Sequence, residues 1–552
     1  MSARDEIVVT RDDIQKKGET ITRGVFVILI SQVLYLFLNY ALFYYLGKKF
    51  IAGDFGNYQV GYRLILAFEL ALMYGIPVTV AKYVSEDPNY LGFFMGKGAT
   101  MQLKFSILLY CVFVIVAAIL VLGVWRQGIP LFLIFLFAGT DIVVYAAYNI
   151  RMSILNPLRR FTREAAIVMG YSFSRFVATV VLVEIGWGLT GAFIGNIISS
   201  VVGIILAYHF TRFKPGYREE PGLMKSIIAF ITPNIVSMAV FKILIDTDLW
   251  SVMAFFRDHA PIGQYKVGDY YGAIGTIAVI PLMLATAIYP PIFVSITHHL
   301  ALGEKDKARK VITQTIKFLW IILVPVATVI LASSRQVYSI MYPKFSTMAT
   351  PDEAAAFIQA TTALGLLAYG VSAYSLYWTT GIIIIATGYP KYPMWNVICM
   401  VPLCLLLNAI FITILKPFGW GMFGAAMAVS CIGIIGNFFF GRWIHKYYGE
   451  YGKFRDFAKI AFAAVLLYFI SVVVRLGLIR AAHSYGWEPS VLTKFLLVIG
   501  IFVVCIPLYL GLLILLRVFD AEEMGKLSRL FRRFAFWMKP AEYAKPDGKT
   551  KV

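Results

Sequence analysis

With 552 residues, 60% of them hydrophobic and 14% charged, and a mean hydropathy of +0.76, the chain has too few polar groups to cover a soluble surface of its size. A soluble globular protein is excluded, and an all-α polytopic membrane protein is expected. The formal net charge of +20 reads as membrane topology and contact with anionic lipids at the cytoplasmic face; no nucleic-acid-binding motif accompanies it, so no nucleic acid partner is expected.

Residues 1–23 form a charged N-terminal segment. After it come apolar runs of about 20 residues or more, each long enough to cross a ~30 Å hydrocarbon layer as a helix. About fourteen such runs are predicted, at 24–46, 58–84, 99–124, 129–155, 165–185, 190–210, 227–256, 265–296, 311–340, 354–387, 395–415, 422–443, 457–478 and 491–516. They lack the ten-residue alternation of barrel strands. The first run is too long for a signal-peptide core and should remain as an anchor. Basic residues recur in alternate connections: Arg151, Arg159, Arg160 and Arg163, then Arg212, Lys214 and Arg218, then Lys305, Lys307, Arg309 and Lys310, then Arg442, Lys446, Lys453 and Arg455. This bias puts both termini in the cytoplasm of a multi-pass plasma-membrane protein.

The chain repeats itself in order. Gly56-Asn57-Tyr58-Gln59-Val60-Gly61 returns as Gly263-Gln264-Tyr265-Lys266-Val267-Gly268, Leu103-Lys104-Phe105 as Ile316-Lys317-Phe318, and Gly186-Trp187-Gly188-Leu189-Thr190-Gly191-Ala192 as Gly419-Trp420-Gly421-Met422-Phe423-Gly424-Ala425. Two parallel six-helix repeats follow, because each half holds an even number of crossings. The expected divisions are an N-terminal bundle at 24–213, a cytoplasmic linker at 214–222 rich in Pro, Gly and charge, a C-terminal bundle at 223–446, two additional helices within 447–518, and a cytoplasmic tail at 519–552. Asp520-Ala521-Glu522-Glu523 has the form of a helix start, and beyond it apolar Met524, Leu527, Leu530, Phe531, Phe534 and Trp537 oppose Lys526, Arg529, Arg532 and Arg533. That pattern predicts an amphipathic helix lying on the membrane surface.

Charges inside the runs are the best site candidates, since each must face protein or water. They are Arg63, Glu69, Lys104, Asp141 and Arg175 in the first half and Lys242, Asp246, Asp248, Lys266, Asp269 and Lys317 in the second. Arg63, Arg175, Lys242 and Lys266 are candidates for holding an anionic head group, because guanidinium and ammonium groups replace the water that phosphate oxygens lose. Asp246, Asp248 and Asp269 are candidates for a coupling Na⁺ or proton, with Asn39 the repeat counterpart of Asp246. Lys242 and Asp246 share a helix face, while Asp248 points elsewhere and needs another partner. Pro77, Pro233, Pro281, Pro325 and Pro402 interrupt runs and are candidate hinges. The five cysteines show no ligand or disulfide spacing, so neither a metal site nor a cofactor beyond the coupling ion is expected.

Leu46-Gly47 with Asp54-Phe55-Gly56-Asn57-Tyr58, Ile262-Gly263-Gln264-Tyr265, Ala287-Ile288-Tyr289-Pro290 and Gly188-Leu189-Thr190-Gly191-Ala192 resemble the prokaryotic polysaccharide and oligosaccharide flippases of the multidrug/oligosaccharidyl-lipid/polysaccharide (MOP) exporter superfamily. The resemblance spans the first twelve helices and implies a V-shaped pair of bundles working by alternating access. It also implies that a lipid-pyrophosphate-linked glycan head group crosses a cationic cavity while its lipid stays in the bilayer, with glycosyltransferases or a glycan polymerase as neighbours in the pathway. The protein would then be a transporter and not an enzyme.

Three alternatives are weighed against this. A drug/cation antiporter of the same superfamily would stop at twelve spans and favour an acidic cavity. The lipid II flippases carry an arginine cluster on helices one and two that is represented here mainly by Arg63. A membrane glycan polymerase or ligase would need a sizeable external loop, whereas the longest here is 342–353.

Overall fold

The computed structural model describes residues 21–51, 53–212, 216–256, 267–346, 350–449, 454–484, 491–520 and 523–525. Among them the regular structure is entirely helical, and thirteen stretches are long and apolar enough to cross a membrane. One of these, Phe161–Phe210, has 50 residues. As a single rod it would measure about 75 Å, more than twice the hydrocarbon thickness. Gly186 (φ 99°) and Gly188 (φ 48°) turn the chain back there, in a backbone region that glycine alone enters freely. The two arms pack along each other, which makes fourteen crossings among the described residues.

The first half comprises α1 (Ile21–Lys49), α2 (Asp54–Met73), α3 (Ile76–Glu86), α4 (Ala99–Ala118), α5 (Ile129–Ala138), α6 (Asp141–Ser153), α7 (Phe161–Leu182) and α8 (Gly188–Phe210). The second comprises α9 (Leu223–Phe255), α10 (Val267–Ala278), α11 (Ile280–Ala301), α12 (Lys305–Ala332), α13 (Ser334–Met341), α14 (Pro351–Ala386), α15 (Lys391–Leu415) and α16 (Gly421–Tyr448). A hairpin of α17 (Phe454–Ser484) and α18 (Val491–Leu515) follows. It packs on α12 through a separate apolar cluster that includes Ile321, Val324, Ile460, Leu467, Ile501 and Leu513.

The candidate hinge prolines divide into two groups. Pro77 stands in the first turn of α3 and Pro281 in the first turn of α11, so the second crossing of each half is broken at a corresponding place. Proline is tolerated there because the first-turn N–H has no partner inside its own helix. Pro233, Pro325 and Pro402 lie within unbroken helices. The breaks are therefore a property of the repeat.

Two ends of the bundle are distinguished below: a near end, where α1 begins, and a far end, where α1 gives way to α2. At the near end the halves meet through apolar side chains. Ile76, Val80 and Val84 of α3 cluster with Leu223, Ile227 and Ile231 of α9. Residues 216–220 of the linker are fastened to the first half: Gly92 N–H donates to Gly216 O (2.9 Å), Arg218 pairs with Asp87 (2.6 Å), and Lys97 pairs with Glu219 (2.7 Å). The Asn89 N–H, followed by Arg218, holds the Asp87 carboxyl below its ordinary range.

A carboxyl with a lowered folded-state pKa stabilises the fold above its unfolded value, about 3.9, and that contribution is lost as pH falls through the folded value. Cleavage at Tyr217 by pepsin, relative to that of an unstructured peptide of the same sequence, is therefore expected to be slow at pH 5 and to rise as the pH falls below the ordinary carboxylate range. The Asp87→Asn variant should be cleaved rapidly at both, whereas a pH response matching the parent would show that Asp87 does not hold the linker.

Candidate functional site

The far end is closed by a carboxylate laid on a helix terminus. Asp269, in the first turn of α10, accepts from Gly53 N–H through Oδ2 and from Gly56 N–H through Oδ1, both at 2.7 Å. These N–H groups belong to the start of α2, where backbone donors lack partners within the helix and the dipole is positive, so an anion is favoured. The approach requires glycine: a Cβ at Gly56 would sit 2.9 Å from the Gly268 carbonyl carbon and 3.1 Å from the Asp269 nitrogen.

Further contacts surround this cap. Phe55 packs on Tyr342 and Phe345 with ring centroids 5.3 and 5.8 Å away. Lys344 donates to Phe50 O (2.8 Å), Tyr40 OH to Thr276 O (3.0 Å) and Trp125 Nε1 to Trp250 O (3.2 Å). All of these hydrogen bonds cross from one half to the other toward the far end.

Deeper in the bundle, a charge cluster joins the halves. Arg63 on α2 reaches one oxygen of Asp246 on α9 at 3.5 Å, and Lys242, one turn earlier on α9, pairs with the other oxygen. Asp248 takes a different partner, as its position on the helix requires. It accepts from Tyr271 OH at 2.9 Å and from Leu249 N–H at 2.6 Å. The side chains of Arg63, Lys242 and Asp246 are 12%, 11% and 3% exposed. Two cations and two carboxylates thus balance in formal charge, away from water. Gly275 of α10 leaves the space that the Arg63 guanidinium occupies.

Arg175 lies apart from this cluster, in the core of the first half. It donates to Asn196 Oδ1 (2.8 Å), Asn39 Oδ1 (3.1 Å), Tyr62 OH (3.2 Å) and Tyr58 OH (3.3 Å), and its guanidinium sits 4.5 Å from the centre of the Tyr62 ring. Those partners are neutral; the carboxylates Glu69 and Asp141 are buried in the same half. A narrow cleft beside Arg175 with a cavity volume of about 10 Å³ is lined by Tyr35, Leu38, Asn39, Leu42, Ser172 and Phe176. That is room for about one water molecule, far below the roughly 300–1,000 Å³ of ordinary ligand pockets, and in this conformation Arg63, Arg175 and Lys242 are engaged with protein partners.

The candidates read from the sequence are therefore not one constellation. Arg63, Lys242 and Asp246 come together, Asp248 is adjacent in the chain but separately bonded, and Asp269 forms the far-end cap. Arg175 and Asn39 pair with each other, and Lys266 lies outside the described residues. The repeat counterparts Asn39 and Asp246 both serve a cation, one by an amide and the other by a carboxylate. Nothing in the sequence marks Tyr58, Asn196 and Tyr271 as ligands of these charges, since a buried tyrosine or asparagine in an apolar run carries no signal of what it faces. The backbone target of Asp269 was more accessible, because Gly53-Asp54-Phe55-Gly56 before an apolar run marks a helix start.

Hydrogen bonds to a charged group contribute about 1.5–3 kcal/mol each. Asp269→Ala should therefore raise the labelling of a cysteine placed at buried Gln59 by a membrane-impermeant thiol reagent, added at the far side, by about tenfold or more. Asp269→Glu is expected to fall between. Unchanged labelling would show that the cap does not hold the far end closed.

Residues 97–349 match the protein family described as "Polysaccharide biosynthesis protein". None of the curated proteins matches the chain by sequence. Among solved structures, the fold is similar to that of lipid II flippase MurJ in an inward closed conformation, with a TM-score of 0.60 and 16% identity over 89% of this chain and 100% of that one. It is likewise similar to a MOP superfamily transporter from Pyrococcus furiosus (TM-score 0.60, 12% identity, 80% of this chain and 98% of that one) and to MATE in complex with MaL6 (0.60, 11%, 80% and 99%). At these identities the likeness speaks for the fold alone. The chain is an all-α polytopic membrane protein whose fold is similar to that of these transporters, and its residues 97–349 match the polysaccharide biosynthesis protein family.

Proposed function

We propose that the protein is a flippase that carries a lipid-(pyro)phosphate-linked oligosaccharide from the cytoplasmic to the outer leaflet of the plasma membrane by alternating access, for the assembly of a cell-surface glycan. The near end is then cytoplasmic, with both termini, and the far end faces outward. Glycosyltransferases would deliver the substrate and a glycan polymerase would take the product; the protein itself catalyses no bond change.

The observation that carries the reading is the cluster of Arg63, Lys242, Asp246 and Asp248 between the halves, two cations against two carboxylates. A phosphate entering from the near end competes with Asp246 for two cations that are already desolvated, so one anion replaces another with little change in burial. The displaced Asp246 carboxylate then needs a counter-charge, which a proton or Na⁺ would supply at Asp246 or Asp248. Arg175, Lys266, Asp269 and Asn39 remain further candidates for substrate or ion contact. Parting of the halves at the far end would follow when the Asp269 cap gives way.

A second reading, a drug/cation antiporter, is favoured by one observation: Glu69 and Asp141 are buried carboxylates in the half that holds Arg175. A cation entering that half would find acids not directly paired with the guanidinium.

Protein reconstituted into liposomes containing a pyrophosphate-linked oligosaccharide lipid should make head groups accessible in the opposite leaflet. Arg63→Ala and Lys242→Ala should each lower that rate by tenfold or more while leaving membrane insertion intact. Translocation at the parental rate by both variants would remove them from the site. Exchange of a cationic dye against Na⁺ or protons, without head-group movement, would favour the antiporter. Because removing one partner of a buried pair typically costs about 3–5 kcal/mol, Asp246→Ala is expected to melt at lower temperature than Arg63→Ala, since it leaves two cations behind and not one carboxylate still paired with Lys242.

A further inference from the structure

Between the Arg63–Lys242–Asp246 cluster and the apolar near-end contact of α3 with α9 stands a layer of aromatic rings drawn from both halves. Tyr74, at the end of α2, meets Trp378 of α14 with ring centroids 6.4 Å apart and planes at 68°, and Trp378 lies on Phe241 of α9 at 5.4 Å. The chain itself sets the depth of this layer. Phe241 directly precedes Lys242 on α9, and Tyr74 lies three turns, about 16 Å, from Arg63 along α2, next to Ile76 of the near-end contact. A group attached to a phosphate on Arg63 and Lys242, and extending toward the near end, would therefore reach these rings.

On the second-half side the layer is fixed by packing. Gly381, one turn after Trp378, leaves space for Phe241: a Cβ there would sit 3.0 Å from the Phe241 and Phe440 rings. Tyr377 packs on Phe241 with centroids 4.8 Å apart and donates its hydroxyl proton to Asn396 Oδ1 (2.6 Å), while Tyr374 OH donates to Phe241 O. One donor of this nest is left over. Trp378 is 3% exposed, and its Nε1–H has no acceptor among the described residues. A buried tryptophan N–H ordinarily finds a partner, because leaving it unpaired forfeits the hydrogen bond it made to water. On the first-half side, Tyr74 is set at the break between α2 and α3, so a bend there carries its ring away from Trp378.

We infer that Tyr74 and Trp378 form a sugar subsite beside the phosphate-binding cations: when the halves part at the near end, a sugar ring enters between the two aromatic rings, lays its C–H face on the indole, and offers a hydroxyl or carbonyl oxygen to Trp378 Nε1–H. The inference rests on the flippase reading for the class of its ligand and adds to it the residues that recognise the glycan. In the closed conformation Tyr74 stands in the place of the sugar, as Asp246 stands in the place of the phosphate. The division of labour follows from the chemistry. Arg63 and Lys242 would accept any lipid pyrophosphate, whereas an aromatic face with one unpaired donor selects a pyrophosphate that carries a sugar.

The test titrates the purified full-length protein with a pyrophosphate-linked oligosaccharide lipid and with the same lipid pyrophosphate lacking sugar, and measures translocation of the glycan lipid in liposomes alongside. The parent should bind the glycan lipid about tenfold more tightly than the bare one. Trp378→Phe, which keeps a ring and removes the N–H, and Tyr74→Leu should each weaken binding of the glycan lipid by about tenfold and leave that of the bare lipid unchanged. Equal affinity of the parent for the two lipids, variants at parental affinity, or an equal loss for both lipids would overturn the subsite and leave the flippase reading in place. A parent that binds neither lipid would overturn both. Sugar-dependent binding without translocation would uphold the subsite and end the flippase reading.

Discussion

A charge taken into hydrocarbon must find a partner, and this protein places partners of several such charges on opposite halves. Arg63 belongs to the first repeat and Asp246 to the second; Asp269 belongs to the second and the α2 N–H groups it accepts from belong to the first. Separating the halves therefore requires something else to meet these groups, either water, an ion or a phosphate. At the near end the contact between α3 and α9 is apolar and imposes no such requirement. The two ends are thus held by different physics. The polar end opens only with replacement of its hydrogen bonds, while the apolar end can part and be covered again by lipid or side chain.

In the proposed flippase, this asymmetry would give alternating access a local cause. Balanced charge in the Arg63–Lys242–Asp246–Asp248 cluster lets an anionic head group exchange with a carboxylate without an uncompensated ion ever being buried, which would cost several kcal/mol. The breaks at Pro77 and Pro281, in corresponding crossings of the two halves, lie on the same spans that carry Arg63 and Asp269. A bend at either break would move a charged residue relative to its partner on the other half. Sequence repetition has preserved the break and varied the chemistry: Asn39 serves Arg175 where its counterpart Asp246 serves Arg63 and Lys242.

Much of the architecture was legible in the sequence. Apolar length fixes the crossings, and the Gly-Trp-Gly signatures mark the turns into α8 and α16; glycines at positive φ stand in both turns, Gly186 and Gly188 in one and Gly419 in the other. The i,i+4 spacing of Lys242 and Asp246 foretold their pairing, and the different face of Asp248 foretold a separate partner. The site was less legible because partners across helices depend on rotation and depth, which periodicity in an apolar run does not specify. Charge alone groups Arg175 with the other cations, whereas packing sets it among neutral ligands in one half. In the sequence Lys317 is one more intramembrane charge; its partner Glu523 lies more than two hundred residues later, where only the hairpin's return over α12 brings it.

In the proposed cycle, the far-end contacts between the halves break and re-form. The most direct measurement is the distance between spin labels at Trp187 and Phe418, both exposed in corresponding far-end turns, in a background lacking the five native cysteines. With a pyrophosphate-linked oligosaccharide lipid added, a second, longer-distance population is expected that grows with substrate and is already present in Asp269→Ala without it. A single distance distribution, unchanged by substrate and by Asp269→Ala, would contradict it.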